Sequence, residues 1–416
     1  MSEWKEYKLG EICKVKGGKR LPKGNNLTTV PNLHPYIRVR DMGEKYLPIN
    51  NLEYVPNEVF PSIKNYIVDK GDLLLSIVGT VGLVSLVNDE LDKASLTENC
   101  VKIIPQKDIV DNEFLYYILK SNIGQEEIFR KIVGAVQPKL PIYNINNIGL
   151  NIPDLPTQTA IAEILSSLDD KIELNNKINQ ELENLAQTLF KQWFIDFEFP
   201  NENAEPYKSS GGEMVESELG EIPKGWEVNS LDGIADFLNG LALQKFPPGD
   251  EYDYLPVIKI RELRQRDTLN SDKASKSIPE KYIVQNGDVL FSWSGSLLVD
   301  FWTNGKGALN QHLFKVTSNQ FPQWFYYLWT KHHLSEFIKI AESKATTMGH
   351  IQRQHLSDAK VVIPDEIPRF TSVFEPIISK IIENRIENVQ LTNLRDTLLP
   401  KLISGELEVS QTQTNS

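Results

Sequence analysis

Apolar residues along Thr157 to Trp193 recur at alternating steps of four and three: Ile161, Leu165, Leu168, Ile172, Leu182, Ala186, Leu189 and Trp193. That spacing predicts a long helix with a narrow seam for one partner helix. Asn175 and Asn179 occupy the two central seam positions. The pattern returns 209 residues further on as Phe374, Ile377, Ile381, Asn384, Asn388, Leu391, Arg395, Leu398 and Leu402, answering Leu165 to Trp193 position by position. Asn falls on Asn, and only Arg395, opposite Ala186, breaks the apolar seam.

Outside the helices the period changes from helical to alternating. Short β-branched runs stand before and after Gly-Asp and Asn-Gly turns, and they too occur twice. Tyr36-Ile37-Arg38-Val39-Arg40-Asp41 answers to Val257-Ile258-Lys259-Ile260-Arg261-Glu262, and Lys70-Gly71-Asp72-Leu73-Leu74-Leu75-Ser76 to Asn286-Gly287-Asp288-Val289-Leu290-Phe291-Ser292. Phe114-Leu115-Tyr116-Tyr117 matches Trp324-Phe325-Tyr326-Tyr327, at helical spacing that reads as core. Gly134 to Leu140 answers to Ala345 to Ile351 just before a last strand in each half. The predicted fold is α+β: two duplicated mixed α/β domains separated by two long antiparallel coiled-coil helices with pseudo-twofold symmetry. Expected boundaries are 1–156 for the first domain, 157–197 for the first spacer helix with Thr157 as N-cap, and 198–225 for a Pro-, Gly- and Ser-rich linker. The second domain then spans 226–368, the second spacer helix 369–405, and a tail 406–416.

The net charge of −12 argues against a polyanionic partner until it is divided. Residues 1–156 balance at 0 and residues 223–364 at +1, whereas 157–222 carry −10 and 365–416 carry −3. Both globular halves are therefore free to carry basic patches. In Ile37-Arg38-Val39-Arg40 a period of two would place both arginines on one strand face, and Ile258-Lys259-Ile260-Arg261 repeats this with Arg264 and Arg266 beyond. Lys16, Lys19 and Arg20, with Lys14 and Lys23, form a second cluster whose counterpart is thin (Gln244, Lys245). Gln137 and Lys139 in one half, and His350, Gln352 and Arg353 in the other, occupy matching loops. Such side chains suit phosphates and base edges; a solvated sheet face is the plainer reading of the strand residues.

Catalytic chemistry is thin. Gly17-Gly18-Lys19-Arg20 lacks the spaced glycine and Ser/Thr of a phosphate-binding loop. Asp154 with Asp169-Asp170-Lys171 can be scored as a nuclease-like pattern, but three of the four lie on the predicted coiled coil. His332, His333, His350 and His355 lack partners at ligand spacing and are expected at the surface or in a groove. No metal site is expected. Two cysteines, a charged start and no membrane-length apolar run point to the cytoplasm.

The longest specific stretches are Leu168-Asp169-Asp170-Lys171-Ile172, Phe190-Lys191-Gln192-Trp193-Phe194-Ile195-Asp196-Phe197, Tyr207-Lys208-Ser209-Ser210-Gly211-Gly212-Glu213-Met214, Gly220-Glu221-Ile222-Pro223-Lys224-Gly225-Trp226 and Leu399-Pro400-Lys401-Leu402-Ile403-Ser404-Gly405-Glu406. With the duplication, they make the chain resemble the specificity subunit of a type I restriction–modification system along essentially its full length. The resemblance implies a non-catalytic DNA-binding subunit, each half reading one part of a bipartite asymmetric target. It also implies two methyltransferase subunits as partners, with restriction/motor subunits reached through the complex. S-adenosylmethionine, ATP and Mg would belong to those partners, with no cofactor in this chain. Asn175, Asn179, Asn384 and Asn388 are expected to set the register of the helix pair. The competing readings are a stand-alone Mg-dependent nuclease and a coiled-coil scaffold that binds only proteins.

Overall fold

A computed structural model describes residues 4–134, 136–249, 253–343 and 349–409. The repeat element Ala345 to Met348 and the tail beyond residue 409 lie outside the described residues. The chain divides into two compact units, Met1–Lys171 with Leu391–Ser416, and Ile172–Gln390. Each contains one globular domain and a portion of both long helices.

The first domain is built on a four-stranded antiparallel sheet, ordered Cys13–Gly17, Cys100–Pro105, Leu73–Ser76, Val84–Leu86. In the second, Asp236–Asn239, Leu313–Thr317, Val289–Ser292 and Leu298–Phe301 take the same order. A smaller sheet in each holds a parallel pair: Pro35–Ile37 beside Ser95–Leu96, and Tyr254–Ile258 beside Gly307–Leu309. The strand before each long helix, Gly149–Ile152 or Lys360–Ile363, pairs antiparallel with the opening strand of its domain, Lys5–Lys8 or Glu227–Ser230.

The Gly-Asp turns explain why the central strands begin where they do. Gly71 and Gly287 adopt φ of 80° and 91°, where a side chain would be strained. The Asp72 carboxylate accepts from the Asp69 N–H at 2.8 Å, and Asp288 accepts from Gln285 N–H at 2.7 Å. Each carboxylate also holds a lysine from the neighbouring strand, Lys102 at 2.8 Å and Lys315 at 2.7 Å. The aromatic helices lie against these sheets as expected. Tyr116 and Tyr117 lie within Asn112–Lys120, Tyr326 and Tyr327 within Gln323–Ser343, and all four are buried. Cys13 and Cys100 are buried free thiols, each pushed up to about 12 by burial.

The first long helix spans Leu155–Phe190 and the second Ile367–Ile403. Its cap is Asp154 rather than Thr157: the Asp154 carboxylate accepts the Thr157 N–H at 3.0 Å, and its carbonyl accepts Gln158 N–H at 3.0 Å. The residue before Leu-Pro is thus the acceptor, and Thr157 already lies in the first turn. The helices run antiparallel. Asn175 Nδ2 donates to Asn388 Oδ1 at 2.8 Å, while Asn384 Nδ2 donates to Asn179 Oδ1 at 3.0 Å. Asn175, Asn179 and Asn384 are buried. The seam exception also finds its partner, since Arg395 Nη1 donates to Asp169 Oδ1 at 2.6 Å. The repeat equivalents of these two residues are Ala186 and Ile378, both buried in one apolar cluster. An ion pair in one unit therefore occupies the seam position that an apolar pair fills in the other.

Residues 198–225, expected as the linker, form a folded connection. A π-helical turn, Lys191–Ile195, follows the first long helix, and the chain then folds back through a hairpin, Met214–Ser217 with Gly220–Pro223. Aromatic residues decide this. Phe199 stacks on Trp226 at 5.0 Å and on Tyr207 at 4.6 Å, Phe194 meets Phe370 at 5.1 Å, and Trp324 stacks on Phe374 at 4.6 Å. Burying several such rings outweighs the turn-forming composition between them. No described helix is long and apolar enough to cross a membrane.

Candidate nucleic-acid interface

The strand-face arginines expected from the period of two are not on a strand face. The first strand ends at Ile37 and the second at Ile258, and a helical turn follows each. A carboxylate three residues on causes the break. Asp41 accepts the Arg38 N–H at 2.8 Å, and Glu262 accepts the Lys259 N–H at 3.1 Å, which starts a helix where the alternation would continue. The basic side chains are then taken up locally. Arg38 pairs with Glu53, and Arg40 reaches Glu53 at 3.0 Å and Asp41 at 3.4 Å. Lys259 pairs with Asp272, lowering that carboxyl below its ordinary range. Arg261 donates to Glu262 at 2.9 Å and to the Asn270 carbonyl at 2.5 Å. Arg266, in the left-handed conformation at φ 55°, holds the buried Asp300 at 2.7 Å. Arg264, exposed like Arg40, Arg261 and Arg266, lies beside Ser296 and Glu342.

The remaining candidates sit around the carboxyl ends of the parallel strand pairs. In the first domain Gly18 N–H donates to Cys100 O at 3.1 Å and Lys19 N–H to Leu96 O at 2.8 Å. In the second, Gly240 N–H donates to Leu313 O at 3.0 Å and Leu241 N–H to Leu309 O at 3.0 Å. A Cβ on Gly18 would lie 2.1 Å from Thr97 O, and one on Gly240 2.2 Å from Asn310 O. Glycine is therefore required twice at the same place. The close approach fixes a three-residue loop, Thr97-Glu98-Asn99 or Asn310-Gln311-His312, against the strand ends. Lys16, Lys19 and Arg20 are exposed beside the first loop, with Arg20 Nε bound to Glu98 at 2.5 Å and Lys19 Nζ 5.7 Å from the Tyr66 ring centre. Lys245 is exposed in the turn Leu243–Lys245 beside the second.

The matching loops before the last strand come to the same region. Leu140 N–H donates to Ile77 O at 2.9 Å, and Ile351 N–H donates to Trp293 O at 3.0 Å. This leaves Gln137 and Lys139 exposed in one half, and His350 and Gln352 in the other. Arg353 is exposed but held at one end: it donates to the Phe237 carbonyl at 3.2 Å and lies over the Phe314 ring. His333, by contrast, is a core residue, its Nε2 2.9 Å from Lys360 O.

Sequence reading missed Asn310, Gln311, His312 and Trp293. Asn310, Gln311 and His312 line a groove of about 510 Å³ that also touches Gln244 and Lys259, and the Trp293 ring lies 5.9 Å from that of His312. Ser294 Oγ lies 2.9 Å from His312 Nδ1, and Trp293 Nε1 donates to Asn239 Oδ1 at 3.0 Å. The available signal was the repeat alignment of Thr97-Glu98-Asn99 with Asn310-Gln311-His312, polar in both copies but different in chemistry.

The nuclease constellation does not assemble. Asp154 caps the helix on which Asp169 lies 15 residues further along, about 22 Å at the helical rise. Asp169 is committed to Arg395 and to the Tyr117 hydroxyl, which donates at 2.6 Å. Among the described residues no group of three or more His, Cys, Asp or Glu could hold a metal ion.

The family model for the type I restriction modification DNA specificity domain matches residues 1–184 and 223–395. The type I restriction enzyme HindI specificity subunit of Haemophilus influenzae is 27% identical over 471 residues, covering 98% of this chain and 100% of its own. The MjaIX specificity subunit of Methanocaldococcus jannaschii is 27% identical over 422 residues, covering 98% and 94%. The type I restriction–modification S subunit of M. genitalium shares the fold at a TM-score of 0.58 and 16% identity, over 96% of each chain. With two copies of the specificity domain joined to a long-helix pair, the chain belongs to the type I restriction–modification specificity subunits, the DNA-recognition rather than the catalytic components of those systems.

Proposed function

We propose that each globular domain reads one block of a bipartite, asymmetric DNA target and that the long helices set the distance between the blocks. One observation carries this reading. The same sheet order, the same glycine-forced loop and the same loop before the last strand occur twice, while the side chains on or beside those loops differ: Arg20, Glu98, Gln137 and Lys139 in one copy, Gln311, His312, His350 and Gln352 in the other. A common scaffold with unlike polar tips suits two readers of unlike sequences. Lys16, Lys19, Lys245 and Arg264 supply phosphate neutralisation, which positions the protein without carrying sequence information.

The chain acts in the cytoplasm as part of an assembly with two methyltransferase subunits and, through them, the restriction subunits. S-adenosylmethionine, ATP and Mg are used by those partners. Helices of 36 and 37 residues span about 54–56 Å, more than one turn of B-DNA at about 34–36 Å. Half-sites about one turn apart fit that reach. The buried asparagines at the centre of the seam hold the register on which this distance depends.

Selection from randomised duplexes by the full chain with its methyltransferase partner tests the reading. Two defined blocks with a fixed gap are expected, with log affinity falling against log salt at a slope of roughly −5 to −9 for six to ten phosphates. A single contiguous motif, or binding without salt dependence, would reject it.

A further inference from the structure

We infer that Gln311 is a base-reading residue of the second domain, held in position by His312 and Ser294. This rests on the proposed two-reader function and specifies how one reader works. The main chain at this point is fixed on both sides. Gln311 N–H donates to Leu241 O at 2.9 Å, and Asn310 N–H donates to Ile258 O at 3.2 Å. The Asn310 side chain closes the turn by accepting His312 N–H at 3.2 Å. The missing Cβ at Gly240 allows this approach, so the loop is presented by the parallel strands rather than by a free tip.

The side chains continue that order outward. His312 Nδ1 lies 2.9 Å from Ser294 Oγ, and its Nε2 lies 3.4 Å from Gln311 Nε2. Since the amide nitrogen can only donate, Nε2 accepts and Nδ1 carries the proton given to Ser294. One amide hydrogen of Gln311 is used in this contact. The other hydrogen and Oε1 have no partner among the described residues and border the groove. A primary amide with one donor and one acceptor free is the group that pairs with adenine N7 and N6 in the major groove. The Trp293 ring lies 5.9 Å from the His312 ring.

The first domain supplies an internal comparison. Glu98 stands at the position of Gln311, and its carboxylate holds the exposed Arg20 guanidinium at 2.5 Å. Glycine and backbone bonds are common to both copies, whereas the side chain aimed outward changes from amide to a carboxylate–guanidinium pair. A purely structural loop has no need of that difference.

The test is duplex selection by the full chain with its methyltransferase partner, comparing wild type with Gln311→Ala, Gln311→Glu and His312→Ala, each checked by its melting temperature. Gln311→Ala is expected to lose discrimination at one adenine of one block by about 5- to 150-fold, with the other block unchanged. Gln311→Glu, which removes the amide donor at nearly constant shape, should shift that position toward cytosine, whose N4 donates. His312→Ala should weaken discrimination at the same position and at no other. An unchanged motif in the folded variants, or an equal loss of affinity for all sequences, overturns the assignment. A wild-type protein that selects no sequence instead overturns the two-reader function beneath it.

Discussion

Replacing Arg395 by alanine separates a structural account of the helix pair from a coincidental contact. Asp169 is buried, its side chain 7% exposed, and accepts both Arg395 at 2.6 Å and the Tyr117 hydroxyl at 2.6 Å. Burial and then the Asp169 charge push the Tyr117 phenol well above its ordinary range, so it remains a proton donor. Removing one partner of a fully buried pair costs about 3–5 kcal/mol, whereas exposed pairs contribute about 0–1. The Arg395 side chain is 26% exposed, so water partly compensates and an intermediate loss of about 2–3 kcal/mol follows. For a unit of about 200 residues that lowers the melting temperature by roughly 4–12 °C. The second unit shows how to repair it: Ile378 and Ala186 stand at the matching positions, both buried. The triple variant Asp169→Ile, Arg395→Ala, Tyr117→Phe removes charge and orphan hydroxyl together and should return to within about 1 kcal/mol of wild type. Denaturant titration followed by helical circular dichroism reads both variants. A single substitution within about 0.5 kcal/mol of wild type, or a triple variant as unstable as the single, would refute the pairing.

Other consequences are separable from this one. Changing Asn175, Asn179, Asn384 and Asn388 together to leucine removes a buried Oδ1 on Asn175 that has no hydrogen-bond partner, so the melting temperature should rise while register errors broaden the selected DNA spacing; a fall in stability contradicts it. Inserting four residues at equivalent points of both long helices should lengthen the gap between the two blocks by about two base pairs, from 6 Å of added helix, as read by duplex selection. Burial raises the Asp300 pKa, but Arg385 and Arg266 more than offset this and hold it below its ordinary value. Its stabilisation is therefore fully present above about pH 4 and is lost as pH falls through the depressed folded value; Asp300→Asn should flatten that acid limb in urea midpoints measured from pH 2 to 6. Arg38→Ala should lower stability more than DNA affinity because Glu53 already holds the guanidinium, and a large loss of affinity at unchanged melting temperature would restore it to the interface.

Much of this fold was legible because it is written twice. Heptad spacing gave the helix seam, and the offset of 209 residues placed Asn175 opposite Asn388 once the helices were taken as antiparallel. The errors came where a local polar bond overrode a pattern. Asp41 and Glu262 ended strands that alternation would have prolonged, taking Arg38, Arg40 and Lys259 with them. Phe199, Tyr207 and Trp226 fold a segment whose proline, glycine, serine and acid content reads only as a connector. The loop at Gln311 was missed for a different reason. Nothing in Asn-Gln-His announces a site until Gly240 is seen to force it against the strand ends, and that closeness is a property of the backbone.

The most direct test of the two-reader claim is a map of methylated positions in DNA modified by the complex carrying this chain. The expected result is one motif of two defined blocks separated by a fixed number of unspecified bases, with substitutions at Gln311 altering one block alone. A single uninterrupted motif, or both blocks changing when one domain is altered, would contradict it.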